Sequence, residues 1–151
     1  VPPEARILVG APTLIFCGNL DERHTERAEA LRARGAEIVQ MANANGKVDL
    51  PALLKALGER GVNELHVEAG YKLNGSLLRE GCVDELLIYL APSLLGMDSM
   101  SMFNLVAPGS LAACTQLRFH GVDRIGDDLR ILARFAPPAP AAPPEATDAS
   151  H

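Results

Sequence analysis

Short apolar runs that alternate with stretches of helical periodicity constrain this chain more than any other feature. Thr13-Leu14-Ile15-Phe16-Cys17 is a continuous apolar run, the pattern of a strand covered on both faces. Asp21 to Arg34 follows with a modest Ala28, Ala30, Leu31 stripe, and Gly35 stands where a helix end takes a left-handed residue. Ala36 to Met41 reads as the next strand and Asn43-Ala44-Asn45-Gly46 as a turn. Asp49 suits a helix N-cap, with Pro51 in the first turn, and Leu50, Leu53, Leu54 and Leu57 fall on one helical face. Gly61 closes that helix, and Glu64-Leu65-His66-Val67-Glu68 reads as a third strand running into Ala69-Gly70. The spacing then predicts a short helix over Asn74 to Glu80, closed by Gly81, and a strong strand over Asp84 to Ala91 that Pro92 stops. After a long loop over Ser93–Ala113, Thr115 to Arg124 and Asp128 to Phe135 form two strands of a hairpin around Ile125-Gly126-Asp127. Repeated strand–helix units imply an α/β fold: a mixed, mostly parallel open sheet with flanking helices and a C-terminal antiparallel β-hairpin.

The ordered body is expected to span residues 1–135. Five of the eleven prolines fall within Pro137–Pro144, and residues 136–151 lose all apolar periodicity, so they read as an extended or disordered Pro/Ala-rich tail. With 151 residues and 48% apolar composition, the chain is long enough for a core without staples, burying roughly 68–70% of its unfolded surface. A net charge of −5 argues against a nucleic-acid partner, which wants a basic face. No apolar run approaches the roughly 20 residues needed to cross a bilayer, and Val1-Pro2-Pro3-Glu4 does not read as a signal peptide. Cys17, Cys82 and Cys114 are odd in number and widely spaced, which fits small buried thiols in a reducing, cytoplasmic setting rather than disulfides. No Cys-x-x-Cys or His/Cys cluster suggests a metal.

Ligands of open α/β sheets gather at the carboxyl ends of parallel strands. The segment Val67 to Ser76 leaves an apolar strand, passes Gly70 and Gly75 and enters a helix. Gly70 is free to take a positive φ and lets a ligand approach the backbone. The first N–H groups of the following helix lack intrahelical partners and, with the helix dipole, attract a phosphate. Lys72 adds a positive charge, and Asn74 and Ser76 add polar contacts. The same residues also read as a plain tight turn with Asn74 or Ser76 as helix cap, and neither Gly-x-Gly-x-x-Gly nor a Walker lysine motif is present. Glu68, at the lip of the apolar strand, is costly to desolvate without a partner; it reads as a ligand-facing acceptor or as a cap on nearby amides. His66 reads as structural, His24, His120 and His151 suggest no site, and Asp84-Glu85 read as caps or partners of Arg79. No side chain is assigned a catalytic role.

Val67-Glu68-Ala69-Gly70, then Leu73-Asn74-Gly75-Ser76-Leu77-Leu78, then Gly81 to Gly96 with Val83-Asp84-Glu85-Leu86 and Ala91-Pro92-Ser93-Leu94-Leu95-Gly96, resemble the reductase domain of the bifunctional riboflavin-biosynthesis deaminase–reductase. The resemblance is nearly continuous over Leu65–Gly96. It implies a dihydrofolate-reductase-like fold, a homodimer, and NADPH-dependent reduction of the ribosyl group of 5-amino-6-(5-phosphoribosylamino)uracil to a ribityl group. It places substrate contact on Glu68 and cofactor contact on Gly70, Tyr71, Lys72, Leu73, Asn74, Gly75 and Ser76. The family's earlier Ser-x-Asp-Gly stretch and phosphate-gripping arginines have no match in Val1–Pro12, and the deaminase zinc motifs are absent, so the resemblance covers the second half of the reductase domain. A non-catalytic nucleotide-binding or assembly module derived from that domain is the alternative it leaves.

Overall fold

The structure, a computed structural model, describes residues 1–10 and 12–136, apart from the side chain of Ala112. The tail expected beyond Ala136 lies outside the described residues. Strands β1 (Leu14–Cys17), β2 (Glu37–Gln40), β3 (Glu85–Leu90), β4 (Leu117–Ile125) and β5 (Asp128–Phe135) and helices α1 (Glu22–Ala33), α2 (Leu50–Glu59) and α3 (Tyr71–Arg79) follow in the order β1-α1-β2-α2-α3-β3-β4-β5. The mixed α/β class and the C-terminal hairpin are as expected, but no strand separates α2 from α3. Among the described strand pairs β1–β2 is parallel while β3–β5 and β4–β5 are antiparallel, so the strand pairing is not mostly parallel. The chain divides into two compact units, one of Val1–Cys82 with Ser101–Asn104, the other of Val83–Met100 with the described residues from Leu105 on.

In the first unit β1 and β2 pair in parallel, Leu14 opposite Glu37 and Cys17 opposite Gln40. The α1 helix connects them, capped by the Asp21 carboxylate, which accepts from the His24 N–H at 2.8 Å. That bond, with the nearby His24 imidazole, holds the Asp21 carboxyl below its ordinary value against the opposing effect of desolvation. Ala28, Leu31, Ala36 and Leu50 form the buried apolar core of this region. The α2 helix starts at the Asp49 cap, whose carboxylate accepts from the Ala52 N–H at 2.9 Å. All three helices end alike. After each, a glycine with positive φ (Gly35, Gly61, Gly81) turns the chain, and the next N–H reaches back to the carbonyl of Leu31, Leu57 or Leu77. These are the closing glycines expected from the sequence.

The β1 and β2 ends meet in a tight contact. Gly18 lies so near the Gly46–Lys47 turn that a Cβ there would stand 2.2 Å from the Gly46 carbonyl oxygen, and Asn19 donates its N–H to that same oxygen at 3.0 Å. A side chain at position 18 would break this junction.

The second unit is a three-stranded antiparallel sheet in the order β3-β5-β4. Leu86, Ile88 and Leu90 stand opposite Ala133, Ile131 and Leu129, while Phe119 and Val122 stand opposite Ala133 and Ile131, which gathers these apolar residues on one face. The other face carries Glu85 paired with Arg134 at 2.7 Å and Asp123 paired with Arg130 at 2.8 Å. Glu85 thus pairs across the sheet with Arg134, rather than capping the previous turn or pairing with Arg79. The ladder runs one residue beyond the boundary set from sequence, since Ala136 donates to the Gln116 carbonyl at 2.9 Å.

The expected third strand is the main departure. Residues 64–68 are exposed, with Leu65 at 46% and Val67 at 43%, and they join no strand ladder among the described residues. A segment of strand character becomes a strand only when a neighbour supplies partners for its N–H and C=O groups, and among the described residues none does so here.

Candidate functional site

Residues 68–76 form the expected bend into a helix, with a different internal geometry. The α3 helix begins at Tyr71, three residues ahead of the expected start, with Gly70 as its N-cap and no side-chain capping bond. Gly70 has φ −78° and ψ 166°, so the backbone does not need glycine's left-handed freedom there. The freedom to take a positive φ that the sequence offers at Gly70 is not used. A Cβ at Gly70 would meet nothing within 4 Å, so open space lies in front of the helix start. The Tyr71, Lys72 and Leu73 amides lie in the first turn, where an α-helix offers them no intrahelical acceptor. Lys72 places its ammonium 6.0 Å from the Tyr71 ring centre.

Asn74 and Ser76, read as alternative helix caps, lie inside α3 instead. The Asn74 amide nitrogen donates to the Ala69 carbonyl at 3.2 Å and to the Met102 carbonyl at 3.4 Å. Its Oδ1 therefore remains an acceptor, while its amide hydrogens hold the bend. Gly75 is buried in the middle of the helix rather than in a turn, against the backbone of Asn104. The Ser76 hydroxyl accepts from Arg79 Nη2 at 2.9 Å.

Glu68 does not stand at a buried lip. Its side chain is 87% exposed, and its Oε1 lies 3.5 Å from His66 Nε2. The desolvation cost expected for it is absent because the strand that would bury it is not formed. The expected strand already puts His66 and Glu68, two residues apart, on one side. Cys17, Cys82 and Cys114 are free and half-buried rather than fully buried, and burial, followed by the nearby Glu80 and Asp49 carboxylates, raises the Cys82 thiol. Among the described residues no three His, Cys, Asp or Glu side chains gather as a metal site, and no helix is long and apolar enough to cross a membrane.

The α3 helix thus starts at Gly70 without a side-chain cap, and the exposed Glu68 carboxylate precedes that cap by two residues. The RibD C-terminal domain family matches residues 1–131, and the chain belongs to that family. Among its relatives, the riboflavin biosynthesis protein RibD of Escherichia coli (strain K12) is 40% identical over 84 residues, 56% of this chain and 23% of that protein. The 5-amino-6-(5-phosphoribosylamino)uracil reductase of Buchnera aphidicola subsp. Acyrthosiphon pisum (strain APS) is 34% identical over 88 residues, 58% of this chain and 42% of that protein. A solved structure of Acinetobacter baumannii RibD superposes with a TM-score of 0.72 at 24% identity, over 90% of this chain and 35% of that one, so the fold is shared. The chain spans less than half the length of each of these three.

Proposed function

We propose that this chain is the reductase part of a riboflavin-biosynthesis protein, reducing the ribosyl group of 5-amino-6-(5-phosphoribosylamino)uracil to a ribityl group with NADPH. The observation that carries this reading is the family match through residues 1–131, which takes in the whole bend from Glu68 to Ser76. NADPH supplies hydride to C1′ of the sugar when it is bound.

The residues at the bend suit a dinucleotide phosphate. Gly70 leaves the helix mouth open, the Tyr71, Lys72 and Leu73 amides offer donors, and Lys72 contributes positive charge. Each such helix-end contact is worth about 0.3–1 kcal/mol when exposed. Asn74, Gly75 and Ser76 complete the cofactor segment from within the helix. Glu68, exposed ahead of that mouth, accepts hydrogen bonds from substrate hydroxyls. The chain's task is to hold two reactants in register.

The finer features of the reading have their own support. The apolar sheet face that leaves Leu90 at 54%, Phe119 at 67% and Val122 at 54% exposed supports a homodimer. Free thiols suit the cytoplasm, and a net charge of −5 disfavours a nucleic-acid partner.

The direct test is nicotinamide absorbance on mixing the full chain, NADPH and the pyrimidine substrate. Substrate-dependent loss of absorbance is expected; none at any substrate concentration contradicts the reading. Glu68→Gln is expected to raise the substrate KM with cofactor affinity unchanged, and equal substrate KM values would remove Glu68 from the site.

A further inference from the structure

The α3 helix is gripped from outside by a four-residue strap, Ser101–Asn104. We propose that Arg79, through this strap, sets where the first amides of α3 stand, and so is a positioning residue for the nicotinamide cofactor. The proposal rests on the reading of α3's start as the cofactor seat.

Several contacts define the strap. Asn104 donates its N–H to the Tyr71 carbonyl at 2.9 Å, in the first turn of α3. Arg79 Nη1, from the last turn, donates to the Asn104 carbonyl, while its Nη2 holds Ser76 Oγ at 2.9 Å. Asn74 joins the Ala69 carbonyl of the bend to the Met102 carbonyl of the strap. Between these contacts Gly75 lets the two backbones meet, since a Cβ there would lie 2.4 Å from the Asn104 carbonyl oxygen. One backbone unit, Asn104, therefore ties both ends of the helix, and Arg79 locks its carbonyl.

The Arg79 backbone follows Tyr71 by eight residues, roughly 12 Å along the helix axis at about 1.5 Å per residue, while its guanidinium reaches back to Ser76 and Asn104. A direct attraction of Arg79 for a phosphate would be screened by salt, whereas a role through geometry would not. Its influence runs through geometry, where a shift near 1 Å can cost up to about a hundredfold.

The test compares wild type, Arg79→Ala, Arg79→Lys and Gly70→Val as full chains, by steady-state kinetics and NADPH titration at low and high salt. Arg79→Ala is expected to raise the cofactor KM and dissociation constant roughly five- to tenfold, with kcat and substrate KM within about twofold. The effect should persist at high salt, and Arg79→Lys should recover much of it, because an ammonium can still donate to the Asn104 carbonyl. If Gly70→Val weakens NADPH and Arg79→Ala does not, the strap proposal fails and the seat stands. If neither variant changes NADPH affinity, the seat itself fails and the strap role with it. An equal loss in kcat and in affinity for both ligands marks general damage and also overturns the proposal. Should Arg79→Ala not fold, Arg79→Met, which keeps the aliphatic stem and removes the donors to Asn104 and Ser76, decides by the same separation of KM from kcat.

Discussion

β1 and residues 64–68 both precede a turn toward a helix, the first as a continuous apolar run and the second as alternating Glu-Leu-His-Val-Glu, and they end in opposite states. β1 lies half-buried beside β2, and its C-terminal end is wedged against the Gly46 turn. Residues 64–68 stand exposed, without a strand partner among the described residues. Either pattern can serve a strand; a neighbouring backbone decides whether one forms.

The largest expected effect lies at the wedged end. Gly18→Val puts atoms where the Gly46 carbonyl stands, and is expected to cost about 2–3 kcal/mol by denaturant midpoint. A cost below about 0.5 kcal/mol, the range of ordinary surface changes, would mean that the β1–turn junction is looser than described. Next, Asp49→Ala removes the carboxylate that caps α2, with an expected loss of about 1 kcal/mol in the same assay.

A smaller effect comes from the Glu37–Arg60 pair, which ties β2 to the end of α2 with two hydrogen bonds. The Arg60 guanidinium lowers the Glu37 carboxyl below its ordinary value. A carboxyl lowered on folding stabilises the chain above its unfolded pKa, about 4.3 in free peptides, and that share is lost as pH falls through the lower folded value. Wild type is therefore expected to lose slightly more stability than Glu37→Gln between neutral pH and acid, because both members of the pair are exposed and screened. Identical pH profiles would remove the pair from the account. The smallest effect is Val67→Ala, expected within about 0.5 kcal/mol of wild type. A loss of 1.5 kcal/mol or more would show the 64–68 run packed in solution and erase its contrast with β1.

Features whose partners lie within a few residues were legible. Asp21 and Asp49 cap their helices, and Gly35, Gly61 and Gly81 end them, because each contact spans one helical turn. The α3 start was misplaced because Gly70 caps without a side chain, so Tyr71, Lys72 and Leu73 carry no local mark. The strap joins residues 25 to 33 positions apart in the chain and has no periodic signature. Its one trace is Gly75 inside a helix, a residue that costs about 1 kcal/mol against Ala unless close packing requires it. The candidate site was therefore readable as a segment, while what holds it in place was not.

The central claim is that a dinucleotide meets the first turn of α3. Amide chemical shifts of the isotope-labelled full chain, followed through an NADPH titration, test it most directly. The largest changes are expected at the Tyr71, Lys72 and Leu73 N–H groups, with the Asn43–Lys47 turn little affected. Saturable shifts concentrated at that turn, with Tyr71 to Leu73 unmoved, would contradict the account.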